Sequence, residues 1–589
     1  MLSYRSDFML PQICVTITLT SLLFCCGPAG PGLPDGDADN GGLFLPGGFE
    51  ALVVADSTGR GRHLDVNSNG DIYMKLRGIT PEGGSVALRD TNSDGKADII
   101  RYFGDYTDSH NYGTAMKIYN GYLYFSTPEA VYRTKLSDGE LVPAAKTEVV
   151  VRDTIILNGR RVEHSAKSIA FDKEGNLYVS FGAPGDVCQE ENRKPGGKGK
   201  SPCDELEWFG GIWKFDADKL NQVQADGEKY ATGIRSIVGM DWDPLDNNLY
   251  AAQHGRDNFS RVWPELYSTW ESALLPSEEF FRVPRGFNGG WPYYYYDQMK
   301  GQKLLNPEYG GDKTRTGGAD TVGLPVTGFP GHFAPNNVFF YKGDQFPERY
   351  RHGAFIAFHG STIRAPYPQA GYFVAFVPMK DGRADGPWEV FADGFAGIDT
   401  IPNTSDAHAR PVGLAMGPDG SLYVSESVNG KIWRIMYKGK KSGFGKTQLA
   451  GMEARKQRTN IKTPDEKEDN LQKGNIAAGE QLYNLYCATC HLSDGNGDGN
   501  RYPTLVASEW VTGNPFKLID LVLKGLSGPI TVKGKPYNGV MPPHDFLTDE
   551  QVAQILTYIR SGFGNNAYPI SPREVKRVRE NPGDAPRRP

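Results

Sequence analysis

The sequence predicts an all-β six-bladed propeller followed by a small all-α domain. Three observations carry this. A phrase made of a Gly/Asn/Asp turn and a strand of alternating apolar residues recurs between residues 45 and 437. The 72 Gly, 40 Pro and 12% aromatic residues suit turn-rich β structure. From about Ile476 the apolar spacing becomes that of helices. A length of 589 residues suggests more than one domain, and a net charge of -6 is too mild to point to nucleic acid as a partner.

The N-terminus comes first. Arg5 precedes an apolar run from about Met9 to Phe24, too short for a membrane-spanning helix and placed as in an export signal. Cys25 and Cys26 end the run, where a lipoprotein signal carries its modified cysteine, although Phe24 is bulkier than that cleavage site usually accepts. Residues 1–26 are therefore expected to be a signal, with lipid on Cys26 or Cys25, or with simple cleavage as the alternative. Residues 27–44, rich in Gly, Pro and Asp, are expected to form a flexible tether. The expected location is periplasmic or outer-surface, with a membrane anchor. Removing Cys14, Cys25 and Cys26 leaves four of the seven cysteines. Cys188 and Cys203 can close the polar loop "CQEENRKPGGKGKSPC" as a disulfide in an exported protein, two free thiols being the alternative.

The repeat reads "NGDIYMKL" (69–76), "NGYLYFST" (120–127), "EGNLYVSF" (174–181), "DNNLYAAQ" (246–253) and "DGSLYVSE" (419–426), with "RHGAFIAFHG" (351–360) a looser sixth copy. Four copies follow a second strand that ends at the turn. Hairpins at this spacing suit radial blades better than a sandwich. Residues 438–475 are polar, charged and poor in strand patterns, and read as a linker. In the helical domain, Thr548 and Gln551 form a capping-box start ahead of Val552, Ile555, Leu556 and Ile559. Residues 563–589 read as a tail.

"CATCH" supplies Cys487, Cys490 and His491, the c-type haem attachment signature. Two thiols at i and i+3 reach the two vinyl groups, and His491 becomes an axial iron ligand. A redox disulfide would call for a βαβ setting and a zinc site for a second pair; neither is present. Residues 476–562 resemble class I cytochrome c. That resemblance implies Met541, followed by Pro just before the last helix, as second axial ligand, with His544 as its competitor. It also implies that the Pro503 carbonyl orients His491, and that Gly479 and Tyr483, facing Tyr558, occupy the helix crossing. His/Met ligation suits electron transfer rather than catalysis.

Most of 45–437 resembles the glucose/sorbosone dehydrogenases, which use pyrroloquinoline quinone (PQQ). The stretches that carry this include "EHSAKSIAFDKEGNLYVSFGAPGD", "YATGIRSIVGMDWDP", "AAQHGRDNFSRVWPEL", "NGGWPY" and "HARPVGLAMGPDGSLYVS". The resemblance implies PQQ at the mouth of the propeller, oxidising sugar hydroxyl or aldehyde-hydrate groups. His164 matches the family's base. The acidic partner of soluble glucose dehydrogenases is missing; Ala183 falls near its place, leaving Glu163 or Asp186 as substitutes. Arg235 matches the arginine at the quinone oxygen, with Ser236 where the glucose enzymes have Asn. Arg410 matches a carboxylate-pairing arginine, and Arg364 is a further candidate cation. Gly255 and Arg256 match positions whose backbone carbonyls hold Ca²⁺ against PQQ. His254 and His110 stand where the glucose enzymes have glutamines, which points to the sorbosone or pyranose branch.

Two further motifs stay open. "DTNSDGKAD" has the spacing of a structural Ca²⁺ loop through Asp90, Asn92, Asp94, Lys96 and Asp98, with Gly95 at the turn. Arg101 stands at the twelfth place, so an ordinary Asx-rich turn is the alternative. "WPYYYYDQ" (291–298) is either a sugar platform or packing. The complete reading is PQQ- and Ca²⁺-dependent sugar oxidation, with electrons leaving through haem c to an external cytochrome or membrane chain. The alternative is a carbohydrate-binding or scaffold propeller without PQQ chemistry.

Overall fold

Six sheets of four or five strands form the blades. Each blade begins with a strand at the centre: Gly61–Val66, Met116–Tyr119, Ile169–Phe171, Ile237–Asp243, Pro335–Phe340 and Pro411–Met416. Each central strand lies against the next, and the last against the first, so the ring closes. The recurring phrases form the second strand of every blade: Ile72–Thr80, Tyr122–Ser126, Asn176–Phe181, Asn248–Gln253, Gly353–Phe358 and Leu422–Glu426. The looser sixth copy is thus a blade strand like the others. The turns explain the repeat. Asn120 and Gly121 both take positive φ, 47° and 75°, as a two-residue hairpin demands.

This is a computed structural model, and it describes residues 32–104, 106, 112–156, 162–401 and 404–580. The expectations for the export signal, Cys25, Cys26 and His110 lie outside the described residues. Every element discussed here belongs to the unit Asp35–Pro589.

Closure uses both ends of the propeller. Phe49–Ala55 is the outer strand of the sixth blade and runs antiparallel to Ile432–Tyr437, with Phe49 opposite Tyr437. Apolar faces of neighbouring blades meet in aromatic clusters; Phe49, Phe346, Tyr350, Phe355 and Phe391 make edge-on and tilted contacts in one of them.

Three segments are more ordered than the sequence suggests. Within the expected tether, the Asp37 N–H donates to the Ala51 carbonyl, its carboxylate accepts from Val53 N–H, and Leu43 is buried. Within the expected linker, Lys446–Arg455 is helical and Glu466–Tyr486 is one long helix. Between them a strap lies on the propeller. Met452 and Ile461 are buried in its core, Asn460 Nδ2 donates to the Gly371 carbonyl at 2.9 Å, and Trp270 Nε1 donates to the Pro464 carbonyl at 2.8 Å. Within the expected tail, Pro572–Glu580 is a helix whose Val575 and Val578 enter the C-terminal core. Composition marks these stretches as polar, but a few apolar residues at the right spacing suffice to dock them.

The C-terminal domain packs Glu466–Tyr486 across Asp549–Ser561. It departs from the all-helical expectation in one place: Leu526–Val532 and Lys535–Met541 pair as a hairpin ending at Met541. At the helix crossing, a Cβ on Gly479 would sit 2.0 Å from the Gln554 carbonyl oxygen. Gly479→Ala is therefore expected to destabilise this domain by about 1–3 kcal/mol, read as an earlier loss of helical circular dichroism on heating. An unchanged transition would contradict the close approach.

Candidate functional site

The mouth of the propeller is built where central strands begin and second strands end. His164 precedes the third blade's central strand. Its Nδ1 donates to the Ala183 carbonyl at 2.8 Å, since a carbonyl can only accept, and this leaves Nε2 as the lone-pair nitrogen. Burial, then the nearby Arg235 charge, lowers its pKa to about 3. Neither Glu163 nor Asp186 takes the place of the missing acidic partner: the backbone of Ala183 does. Asp186 instead pairs with Arg235, and Glu163 with Arg193. Burial opposes ionisation of Asp186, but Arg235, Arg256 and Arg193 prevail and hold it near 2.

Arg235 is buried. Its Nη1 donates to the Gly255 carbonyl at 2.7 Å, and its Nε has no partner among the described residues. The Gly255 N–H and the Ala334 N–H both donate to Glu278, a buried carboxyl raised by burial to about 8. Asp257, raised by burial and by Asp186 to about 6, adjoins the same turn. The Arg256 side chain points away into an ion pair with Glu308 at 2.6 Å. The Gly255–Arg256 backbone is thus ringed by carboxyl groups that are hard to ionise. That setting fits a divalent cation, which would stabilise their charged forms.

On the opposite rim lies a group of arginines that sequence reading largely missed. Arg62 is buried, with Nε and Nη2 unpartnered among the described residues, and burial followed by repulsion from Arg77, Arg410 and Arg60 lowers its pKa. Tyr112 stacks under both Arg62 and Arg77. Arg410 donates to the carbonyls of His359 and Gly360 and to His359 Nδ1. Arg77 and Arg60 repel both Arg62 and Arg410, and the Arg410 backbone N–H donates to the Glu426 carboxylate at 3.4 Å. Unpartnered buried guanidinium nitrogens of this kind fit a polycarboxylate such as PQQ. One signal could have found Arg60 and Arg62: "GRGRH" stands before a central strand just as "HARP" and "GIRS" do.

His254 connects the two rims. Both Arg235 and Arg62 act on it, and its Nε2 donates to the Pro335 carbonyl at 3.0 Å. Arg364 is buried but turned to the strap, where Nη2 donates to the Lys462 carbonyl at 2.9 Å. Trp291 and Tyr295 are buried, and Trp291 Nε1 donates to the Asp186 carbonyl, so these parts of "WPYYYYDQ" are packing. The loop of Asp90, Asn92, Asp94, Lys96 and Asp98 does not gather its carboxylates. Asp90 accepts from the Ser93 and Gly95 N–H groups, Asp94 from Lys96 N–H, and Asp98 from Thr91, which makes an Asx-rich turn. Cys188 and Cys203 are joined as a disulfide.

In the C-terminal domain, Cys487, Cys490, His491, Pro503 and Met541 line one largely apolar cavity. His491 Nδ1 donates to the Pro503 carbonyl at 3.0 Å, so Nε2 is free for a metal. Tyr483 donates to the Leu492 carbonyl and lies 5.4 Å from the Tyr558 ring. Two thiols, a fixed imidazole and apolar walls fit a covalently held haem. His544 lines the same cavity, and its Nδ1 is buried without a partner among the described residues.

Comparison with known proteins agrees with this geometry. The glucose/sorbosone dehydrogenase model matches residues 103–363, a TrAA12-like model 296–438 and the cytochrome c model 476–563. Cytochrome c-552 of Thermus thermophilus is 36% identical over 115 residues, covering 18% of this chain and 85% of that protein. An uncharacterized protein of Borreliella burgdorferi is 26% identical over 221 residues; the match covers 37% of this chain and 51% of that protein, about half its length. The pyranose dehydrogenase PQQ domain from Coprinopsis cinerea shares the fold, with a TM-score of 0.52, 17% identity, and coverage of 67% of this chain and 97% of that one. These matches describe a propeller with the fold of PQQ-type sugar dehydrogenases, followed by a cytochrome c electron-transfer domain. The chain thus carries a glucose/sorbosone dehydrogenase-type domain within its propeller and a cytochrome c domain at its C-terminal side.

Two expectations follow from the geometry. His63, His164, His254 and His332 are lowered by burial to about 3, 3, 4 and 4, and His359 falls well below its ordinary 6.5. The unfolded chain takes up these protons near 6.5, and the fold only near 3–4. Stability is therefore full above pH 6.5 and falls as the pH drops toward 4, by up to about 1.4 kcal/mol per pH unit for each histidine. Melting temperatures of the propeller at pH 7.5 and 5.0 check the sign. In the cytochrome domain, Met541→Ala should lower the haem midpoint potential and abolish the methionine–iron charge-transfer band, while His544→Ala should preserve both. The reverse pattern would give the sixth position to His544.

Proposed function

We propose that the propeller oxidises a hydroxyl or hydrated-aldehyde carbon of a sugar with PQQ and Ca²⁺, and that the electrons leave through haem at Cys487 and Cys490 to an external acceptor. The observation that carries this reading is His164: its Nδ1 is tied to a carbonyl and its Nε2 is the lone-pair nitrogen, on a mouth whose far rim gathers Arg60, Arg62, Arg77 and Arg410. When bound, PQQ with its Ca²⁺ would supply an electrophilic quinone able to accept two electrons.

The chain's own residues do the rest. Arg62 and Arg410, with Arg60 and Arg77 behind them, pair the cofactor's carboxylates. The Gly255 and Arg256 carbonyls hold the cation, and Asp257 and Glu278 supply compensating charge. Arg235 stands beside that turn as the donor to the quinone end. His164 Nε2 takes the proton from the substrate hydroxyl. A polyanion among these arginines would offset their field and raise His164 toward the range a base needs. The Cys188–Cys203 disulfide suits an oxidising compartment and supports export.

The test is reconstitution of the purified, haem-bearing protein. Aldoses should reduce the haem only when PQQ and Ca²⁺ are both present. His164→Ala should retain PQQ binding and slow the reduction by about 10²–10⁴-fold. Bound PQQ with no sugar-driven haem reduction would favour the scaffold alternative.

A further inference from the structure

One charged side chain at the mouth has no part in this scheme. The loop 188–203 is closed by its disulfide and pinned to the propeller: the Tyr309 hydroxyl donates to the Val187 carbonyl at 2.9 Å, and Gly199 N–H donates to the Glu308 carbonyl at 3.0 Å. Inside the loop, Arg193 takes positive φ (60°), and its N–H donates to Gln189 Oε1 at 3.0 Å. This backbone aims the guanidinium at three carboxylates from three different places. Nε donates to Asp186 at 2.7 Å; Nη2 and Nη1 donate to Glu163 at 2.6 and 3.1 Å; Nη2 also reaches Asp257 at 3.5 Å. Glu163 is the residue before His164. Asp186 follows the third blade's second strand and is shared with Arg235.

We propose that Arg193, presented by the disulfide-closed loop, is a positioning residue for His164: it clamps Glu163 and Asp186 and cancels the negative charge they would otherwise direct at the imidazole. The proposal rests on the reading of His164 as the base. The groups that act on the ring are Arg235, Asp186 and His254, with Glu163 adjacent in the chain and Asp257 behind Arg235. Arg193 touches three of these groups and not the ring itself. Its removal leaves Arg235 and the more distant Arg256 to compensate Asp186, and takes from Glu163 the ion pair it makes among the described residues. The excess negative charge favours the imidazolium, so the titration of His164 must move upward. Part of the guanidinium is exposed, so loss of its charge should leave the fold intact.

The experiment is an NMR titration of the full-length, haem-bearing protein with isotope-labelled histidine and without added PQQ. His164 is assigned by the signal lost in His164→Ala. Arg193→Gln should move its midpoint upward by roughly 1 pH unit, and Arg193→Lys should restore most of the wild-type position. In protein loaded with PQQ and Ca²⁺, the acid limb of kcat/KM should move the same way. A His164 midpoint unchanged in Arg193→Gln would overturn the proposal. The double variant Cys188→Ser/Cys203→Ser should shift in the same direction as Arg193→Gln, and no shift there would overturn the role of loop closure. Because the titration needs no turnover, an inactive loaded protein would count against the dehydrogenase reading alone.

Discussion

Antiparallel pairing of Phe49–Ala55 with Ile432–Tyr437 holds the two ends of the propeller in one sheet. Six radial sheets can surround a channel only if the last meets the first, and this pairing performs that join with backbone hydrogen bonds and a shared aromatic core. The mouth depends on it directly. Arg62 comes from the first blade and Arg410 from the sixth, and the two act on each other only because closure brings the blades side by side. His164, Arg235 and His254 face them across the channel. A linear stack of the same hairpins would hold the same residues far apart.

The electrostatics of the mouth are those of a receptor. Guanidinium nitrogens of Arg62 and Arg235 are buried without partners among the described residues, and Asp257 and Glu278 are raised by burial. Each feature costs stability in the isolated protein. A polyanion at one rim and a cation at the other would relieve both costs together, which is the charge pattern of a metal-bound quinone carboxylate. The five histidines kept neutral by burial belong to the same arrangement, since they pack between cations without adding to the positive charge.

The strap that follows the propeller ties the two domains together mechanically. Ile461 enters the propeller core, while the Lys462 and Pro464 carbonyls accept from Arg364 and Trp270. A single helix then runs from Glu466 to Tyr486 and ends at the first haem cysteine. The chain between the sites is thus held by packing and hydrogen bonds, although its composition reads as a loose connector.

Much was legible in the residues because it rests on local rules. The turn-and-strand phrases specify hairpins by turn chemistry and period-two alternation, and "CATCH" is a contiguous chemical signature. His164, Arg235 and Arg410 were visible because each lies beside a recognisable strand. What the sequence alone could not supply were the groups that meet only through closure and loop packing. The Ala183 carbonyl as partner of His164 is a backbone atom without a residue signature. Arg62 looks like a surface arginine until the closed ring of blades buries it. Arg364, a further candidate cation for the cofactor, is turned to the strap by a carbonyl about one hundred residues away. The Asp90–Asp98 loop satisfies its carboxylates on its own N–H groups. Sequence by itself determined the blades, the haem attachment and the class of chemistry, since each is encoded within a few consecutive residues. Tertiary structure alone decided the protonation of His164 and the pairing of each arginine, because burial and charge at the mouth are sums over six blades.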